Sequence, residues 1–153
     1  MSAATDNVTS AGEDPLVARA DIIIDASRAE VWDALVNPEL IKRYMFGATV
    51  TSDWSIGSPI AWKGEWKGKP YEDKGRILEI RRGERLKYSH FSPLAGVPDQ
   101  PENYHNVTID VGGRDGAVQV ALSQDHNRSR EAMEESQRNW RVMLEGLKKT
   151  VEH

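Results

Sequence analysis

The stretch from Trp62 to Gly75, WKGEWKGKPYEDKG, constrains this chain more than any other. In a strand over Pro59 to Trp66, Ile60, Trp62, Gly64 and Trp66 share one face, while Ala61, Lys63 and Glu65 share the other. Two indoles and a glycine on one face make a wide, apolar, incompletely filled surface, suited to the wall of a cavity. A glycine inside a strand marks a bend or a close approach of other groups. Glu72 and Asp73 read as a turn after this strand, where aspartate bonds backbone amides.

The rest of the chain supplies the partners of such a strand. Leu16 to Ile24 reads as a β-branched strand. Ser27-Arg28-Ala29-Glu30 is a capping box opening a helix with Val31, Trp32 and Leu35 on one stripe. Asn37-Pro38 ends that helix and starts a second, which runs to about Tyr44. Period-two patterning then predicts strands at Ala48 to Thr51, Pro59 to Trp66, Gly75 to Ile80, Leu86 to His90, Asn106 to Gly112 and Gly116 to Gln124. Their short connections make them antiparallel neighbours. The exception is Ser92 to Tyr104, a long surface excursion with three prolines. From about Ser129 to Val151, Met133, Ser136, Trp140, Met143, Leu144, Leu147 and Val151 form one helical stripe. Strand, two short helices, six strands and a long helix define an α+β domain: a curved antiparallel sheet covered by the terminal helix.

The chain has 153 residues and a net charge of −4. Residues 1–14 lack an apolar period and read as a disordered leader, with residues 15–153 as a single domain. Three of the 24 acidic residues (Asp6, Glu13 and Asp14) belong to that leader, which leaves 21 acids against 20 bases in the body. A balanced body gives no electrostatic reason to expect nucleic acid or an anionic membrane as partner. No run approaches the roughly 18 apolar residues that span a bilayer, and no signal peptide is evident. With no cysteine there is neither disulfide nor thiolate chemistry. A cytoplasmic protein is expected.

With the elements in this order, the chain resembles the START-like (SRPBCC) superfamily with its helix-grip fold. More closely, it is similar to bacterial homologues of the C-terminal domain of the activator of the 90-kilodalton heat-shock protein ATPase. The resemblance runs from about Ala18 to Lys149. It rests on Ala26 to Trp32, Ser52-Asp53-Trp54, Gly57-Ser58-Pro59-Ile60, Gly64-Glu65-Trp66, Tyr71 to Gly75, Pro101 to His105 and Asn139-Trp140. It implies a cavity between sheet and long helix. It implies no single activity, since members include carriers of hydrophobic ligands, cyclases and chaperone regulators.

Candidate ligand-binding residues are Trp62, Trp66, Tyr88, His90, Tyr104, His105, Met133 and Trp140. Trp62, Trp66, Leu86, Tyr88 and His90 share strand parity with Val107, Ile109, Val118, Val120 and Leu122, and Met133, Trp140 and Met143 face them from the helix. An apolar pocket with a few polar handles is the usual form of a small-molecule site. The same residues would equally compose a solid core. His90 should point inward, as a general base, as an anchor for a ligand oxygen, or as a core histidine bonded to Tyr88 or a carbonyl. His105 begins its strand beside Tyr104 and could approach the same mouth. Two histidines without a nearby carboxylate make no metal site, so neither metal nor cofactor is expected. No serine stands in a triad or elbow context, and no catalytic residue is assigned. Gly112 to Gly116 joins two strands and is a hairpin turn rather than a phosphate cradle. Lys63, Lys67 and Lys69 interleave with Trp62 and Trp66 in a solvated face behind an apolar one.

Three functions fit these residues. The first is a module enclosing a hydrophobic or aromatic small molecule, with the Ser92 to Tyr104 loop as rim. The second is regulation of a chaperone ATPase by protein contact. The third is a cyclase or lyase working in the same cavity with His90 and Tyr88 as proton-transfer groups.

Overall fold

The computed structural model describes residues 16–152, so the expected leader 1–14 lies outside the described residues. The elements are β1 (Ala18–Ile24), α1 (Arg28–Val36), α2 (Pro38–Tyr44), β2 (Thr49–Ser52), β3 (Pro59–Trp66), β4 (Lys69–Arg81), β5 (Arg85–His90), β6 (His105–Arg114), β7 (Ala117–Gln124) and α3 (Arg130–Val151). All seven strands pair antiparallel in one sheet, in the order β1-β7-β6-β5-β4-β3-β2. β1 and β2 are the two edges, and α1 with α2 carries the chain from one to the other. This is the helix-grip arrangement, with α3 as the gripped helix.

Local chemistry explains the helices. The capping box is present in full: the Ser27 hydroxyl accepts from the Glu30 amide, and the Glu30 carboxylate accepts from the Ser27 amide. The Asn37 side chain accepts from the Glu39 amide at the start of α2, with Pro38 in the first turn. Ser129 caps α3 through the Ala132 amide. No helix among the described residues is long and apolar enough to cross a membrane.

The core lies between the inner face of the sheet and one stripe of α3. Ile24, Ile60, Trp62, Ile77, Leu86, Tyr88, Val107, Ile109, Val118 and Val120 come from the strands, Met143, Leu144, Leu147 and Val151 from α3. α3 meets α2 at a glycine. A Cβ on Gly146 would stand 3.0 Å from the Cβ of Tyr44, whose hydroxyl donates to the Ala34 carbonyl at 2.7 Å. The missing side chain lets the two helices close, at the cost of helix propensity.

One boundary differs from expectation in a way that matters. The turn after β3 is not at Glu72-Asp73 but at Lys67-Gly68, with φ of 51° and 80°. Positive φ at both central residues is the requirement of a type I′ hairpin, whose twist matches that of the flanking strands. β4 therefore begins at Lys69, and Asp73 stands opposite Trp62 in mid-strand. Trp66 is the last residue before the turn and is 57% exposed, whereas Trp62 is 5% exposed. The two tryptophans share a face, but the core ends before Trp66.

Three substitutions test this packing by chemical unfolding. Trp62→Ala should cost about 3–5 kcal/mol, as large-to-small core changes do. Trp66→Ala should stay within about 0.5 kcal/mol of the parent, as surface changes do. Gly146→Leu should cost about 1–3 kcal/mol by forcing α3 off Tyr44. Equal losses at the two tryptophans would contradict the placement of Trp66.

Candidate functional site

The pleat of β5 turns Leu86, Tyr88 and His90 to the inner face, and β4 brings Asp73 beside them. The strands approach closely only because residue 75 is glycine: a Cβ there would fall 1.7 Å from the Ser89 carbonyl oxygen. His90 Nε2 lies 2.9 Å from Asp73 Oδ2, with both side chains largely shielded. The His90 ring stands edge-on to Trp62 at 5.1 Å between centroids, and Trp62 leans on Tyr88 at 5.1 Å. Asp73 Oδ1 is buried and has no hydrogen-bond partner among the described residues. The bond to Asp73 places the His90 proton on Nε2 and leaves Nδ1 as the basic nitrogen. The pair can therefore accept a proton at Nδ1 and a hydrogen bond at Asp73 Oδ1.

His105 pairs with His90 across β5 and β6, their ring centroids 6.4 Å apart. Its Nδ1 lies 2.8 Å from the Asp125 carbonyl, which makes that nitrogen the donor. Burial holds its pKa below the usual histidine value; the carbonyl bond opposes this and nearby His90 adds to it. His105 is thus a neutral imidazole at neutral pH. Burial pushes the Tyr88 phenol well above its ordinary value, so Tyr88 acts only as a neutral hydroxyl. Tyr71 is also pushed up, by burial and then by the Asp73 charge. Its ring lies across Gly64, where a Cβ would come within 2.8 Å of the phenol oxygen. The space expected beside Gly64 is therefore occupied by Tyr71.

Between the sheet and the helices lies a small space of about 20 Å³, bordered by Trp54, Ile60, Trp62, Leu86, Tyr88 and Met143 among others. That is room for about one water. Of the two alternatives left open by the sequence, a filled interior is the one the structure adopts.

The remaining candidates have other partners. Tyr104 lies on the outer face: it stacks on Phe91 at 5.1 Å and donates to Asp99 Oδ1 at 2.7 Å, and Asp99 is ion-paired to Lys74. Tyr104 precedes His105 by one residue, so strand alternation sends the two to opposite faces. The Asp99 to Tyr104 part of the loop accordingly lies over the outer face of the sheet, whereas the Ala95 carbonyl accepts from Arg128 just before α3. The Trp140 indole donates to Gln124 Oε1, and Met133 is buried outside the main core cluster.

Two residues escaped the sequence reading. In the sequence Asp73 reads as part of a turn, which separates it from His90; a hairpin at Lys67-Gly68 puts Asp73 in phase with Trp62. Trp54 follows Ser52-Asp53 in a loop, where no periodicity reports its direction, yet it borders the interior. Among the described residues no group of three or more histidines and carboxylates could hold a metal ion.

Known proteins place this geometry in context. A protein from Cytophaga hutchinsonii, known from its solution structure, shares 56% identity with the chain at a TM-score of 0.78, covering 90% of this chain and 94% of its own. The Aha1 dimer from Colwellia psychrerythraea matches at TM-score 0.69 and 16% identity, covering 89% and 96%. CalU16 from Micromonospora echinospora matches at TM-score 0.66 and 21% identity, covering 90% and 80%. The last two show likeness of fold alone. No curated protein matches the chain. The family model described as activator of Hsp90 ATPase homolog 1-like protein matches residues 25–152, from just before the capping box to the end of α3. The chain therefore belongs to the activator of Hsp90 ATPase homolog 1-like family.

Proposed function

We propose that this chain binds a small apolar or aromatic molecule carrying a hydrogen-bond donor, at the inner-face site formed by Trp62, Tyr88, His90 and Asp73, with His105 beside it. The observation that carries the reading is Asp73 Oδ1, a buried carboxylate oxygen without a partner among the described residues. A buried acceptor left unmade costs about 1–3 kcal/mol, more when charged, and a ligand donor would remove that cost. Trp62 and Tyr88 supply the apolar wall, and His90 holds the carboxylate in place through Oδ2. The filled interior requires side chains to yield as the ligand enters. Met45 and Met143 border the small internal space, and methionine repacks readily.

A second reading is favoured by the same pair. His90 Nδ1, oriented by Asp73, is a competent general base, which would make the site catalytic toward a bound molecule with an acidic proton.

Native mass spectrometry of freshly purified protein, with Asp73→Asn beside the parent, tests the binding. The substituted amide would still accept from His90 but would present an N–H where the ligand donor must sit. The parent should carry an apolar adduct, and Asp73→Asn should bind that molecule about ten- to a hundredfold more weakly, the weight of a hydrogen bond to a charged group. Its melting temperature should not fall. Equal adduct occupancy in both proteins, or an empty parent, would sink the reading.

A further inference from the structure

A groove of about 610 Å³ opens on the outside of the core, between α1, the β4–β5 turn and the loop joining β2 to β3. Its size is that of a small-molecule site, whereas the interior holds about one water. Trp32, Val36, Trp54 and Ile80 make it apolar, and Arg28, Arg82 and Asp33 stand among its lining residues.

Trp54 is held there at some conformational cost. Its φ is 57°, a left-handed backbone that a bulky residue rarely adopts. The loop maintains it: the Trp54 amide donates to Ser52 Oγ at 3.0 Å, and the Ser58 hydroxyl donates to the Ser55 carbonyl at 2.7 Å. The same indole borders both the groove and the internal space, so it is the wall between them. Strain of this kind persists where a side chain must be presented in one direction.

The charges of the groove are unequal. The Arg28 guanidinium is fixed by the carbonyls of Gly83, Val111 and Gly113 at 2.9–3.2 Å, so its charge is a permanent part of the rim. Arg82 is exposed, and its side chain has no hydrogen bond or ion pair among the described residues, although neighbouring Arg81 is paired with Glu79 and Glu84. Asp33 is the one carboxylate among the groove's lining residues, which leaves them net positive. Two indoles beside an unpaired guanidinium recognise a flat ring system with a negative group.

We propose that this groove binds a small aromatic anion, its rings against Trp32 and Trp54 and its charged group at Arg82. The site is separate from the Trp62–His90–Asp73 site.

The five tryptophans give one indole N–H signal each, which makes the location readable. The full chain, labelled with nitrogen-15, is titrated with 8-anilinonaphthalene-1-sulfonate. The indoles of Trp32 and Trp54 should shift saturably while those of Trp66 and Trp140 stay still. Arg82→Glu should weaken binding about fivefold or more at low salt, with the difference shrinking as salt screens it. Ala29→Trp, at an exposed position of α1 lining the groove, should abolish the Trp32 and Trp54 shifts in a protein that still melts cooperatively. The uncharged N-phenyl-1-naphthylamine should bind more weakly than the sulfonate. Shifts centred on Trp62 would overturn the groove and leave the inner-face site standing. Unchanged affinity in Arg82→Glu, or equal binding of the uncharged probe, would overturn the anionic ligand. Absence of any saturable shift would overturn the site altogether.

Discussion

The direction in which α3 leaves β7 is set by one buried amide, and the rest of the molecule depends on it. Asn127 Nδ2 donates to the carbonyls of Leu16 at 2.7 Å and Gln124 at 3.0 Å, and its Oδ1 accepts from the Ser136 hydroxyl at 3.2 Å. Gln124 in turn accepts from the Trp140 indole. One side chain thus ties the start of β1, the end of β7 and the first turns of α3. Hydrophobic burial drives α3 onto the sheet but has no direction of its own. A satisfied polar network in a low-dielectric interior supplies the direction. At the far end, Lys148 donates to the Ile23 carbonyl at 3.1 Å, and Glu152 accepts from the Asp25 amide at 2.8 Å. With both ends fixed, the stripe of Met143, Leu144, Leu147 and Val151 meets the core in one register.

That fixed line determines which part of the sheet is left thinly covered. α3 packs on β1, α1 and α2. Over Trp62 and Tyr88 on the far strands lie Leu35 of α1, Ile41 and Tyr44 of α2, Met45 and a single α3 residue, Met143, and Tyr71 lies over Gly64. His90 and Asp73 lie toward the end of this cover, partly shielded, with side chains 27% and 16% exposed. The candidate site follows from the geometry of the grip: α3 runs along β1, α1 and α2, away from the backbone of β3 to β5.

Much of this was legible because the strongest signals are local. The capping box, the Asn37-Pro38 boundary and the α3 stripe are each fixed by a few adjacent residues, and each appears as read. The parity of Trp62, Tyr88 and His90 was legible for the same reason. What failed was a dipeptide. Lys-Gly carries a weaker turn signal than Asn-Gly or Asp-Gly, so the hairpin was displaced by several residues and the partner of His90 disappeared with it. Parity also says which way a residue points without saying whether anything covers it, and this is why Trp62 and Trp66 looked alike. Filling is a third quantity that no pattern contains: a glycine gap is empty or full according to what crosses from the neighbouring strand, here Tyr71.

A filled interior has a consequence for any ligand bound within it. If the open form is a fraction f of the population, the apparent dissociation constant is the intrinsic one divided by f, so an open form at about 1% weakens binding about a hundredfold. The part that opens is constrained as well. α3 is pinned at both ends, and the β2–β3 loop is joined to β4 by the Gly57 amide on the Ile77 carbonyl at 2.7 Å and the Ile77 amide on the Ser58 carbonyl at 2.9 Å. Backbone displacement would break these bonds, whereas rotation of Trp54, Met45 and Met143 breaks none of them. For the inner-face ligand proposed above, opening by side-chain rotation alone would favour a compact molecule over a long one.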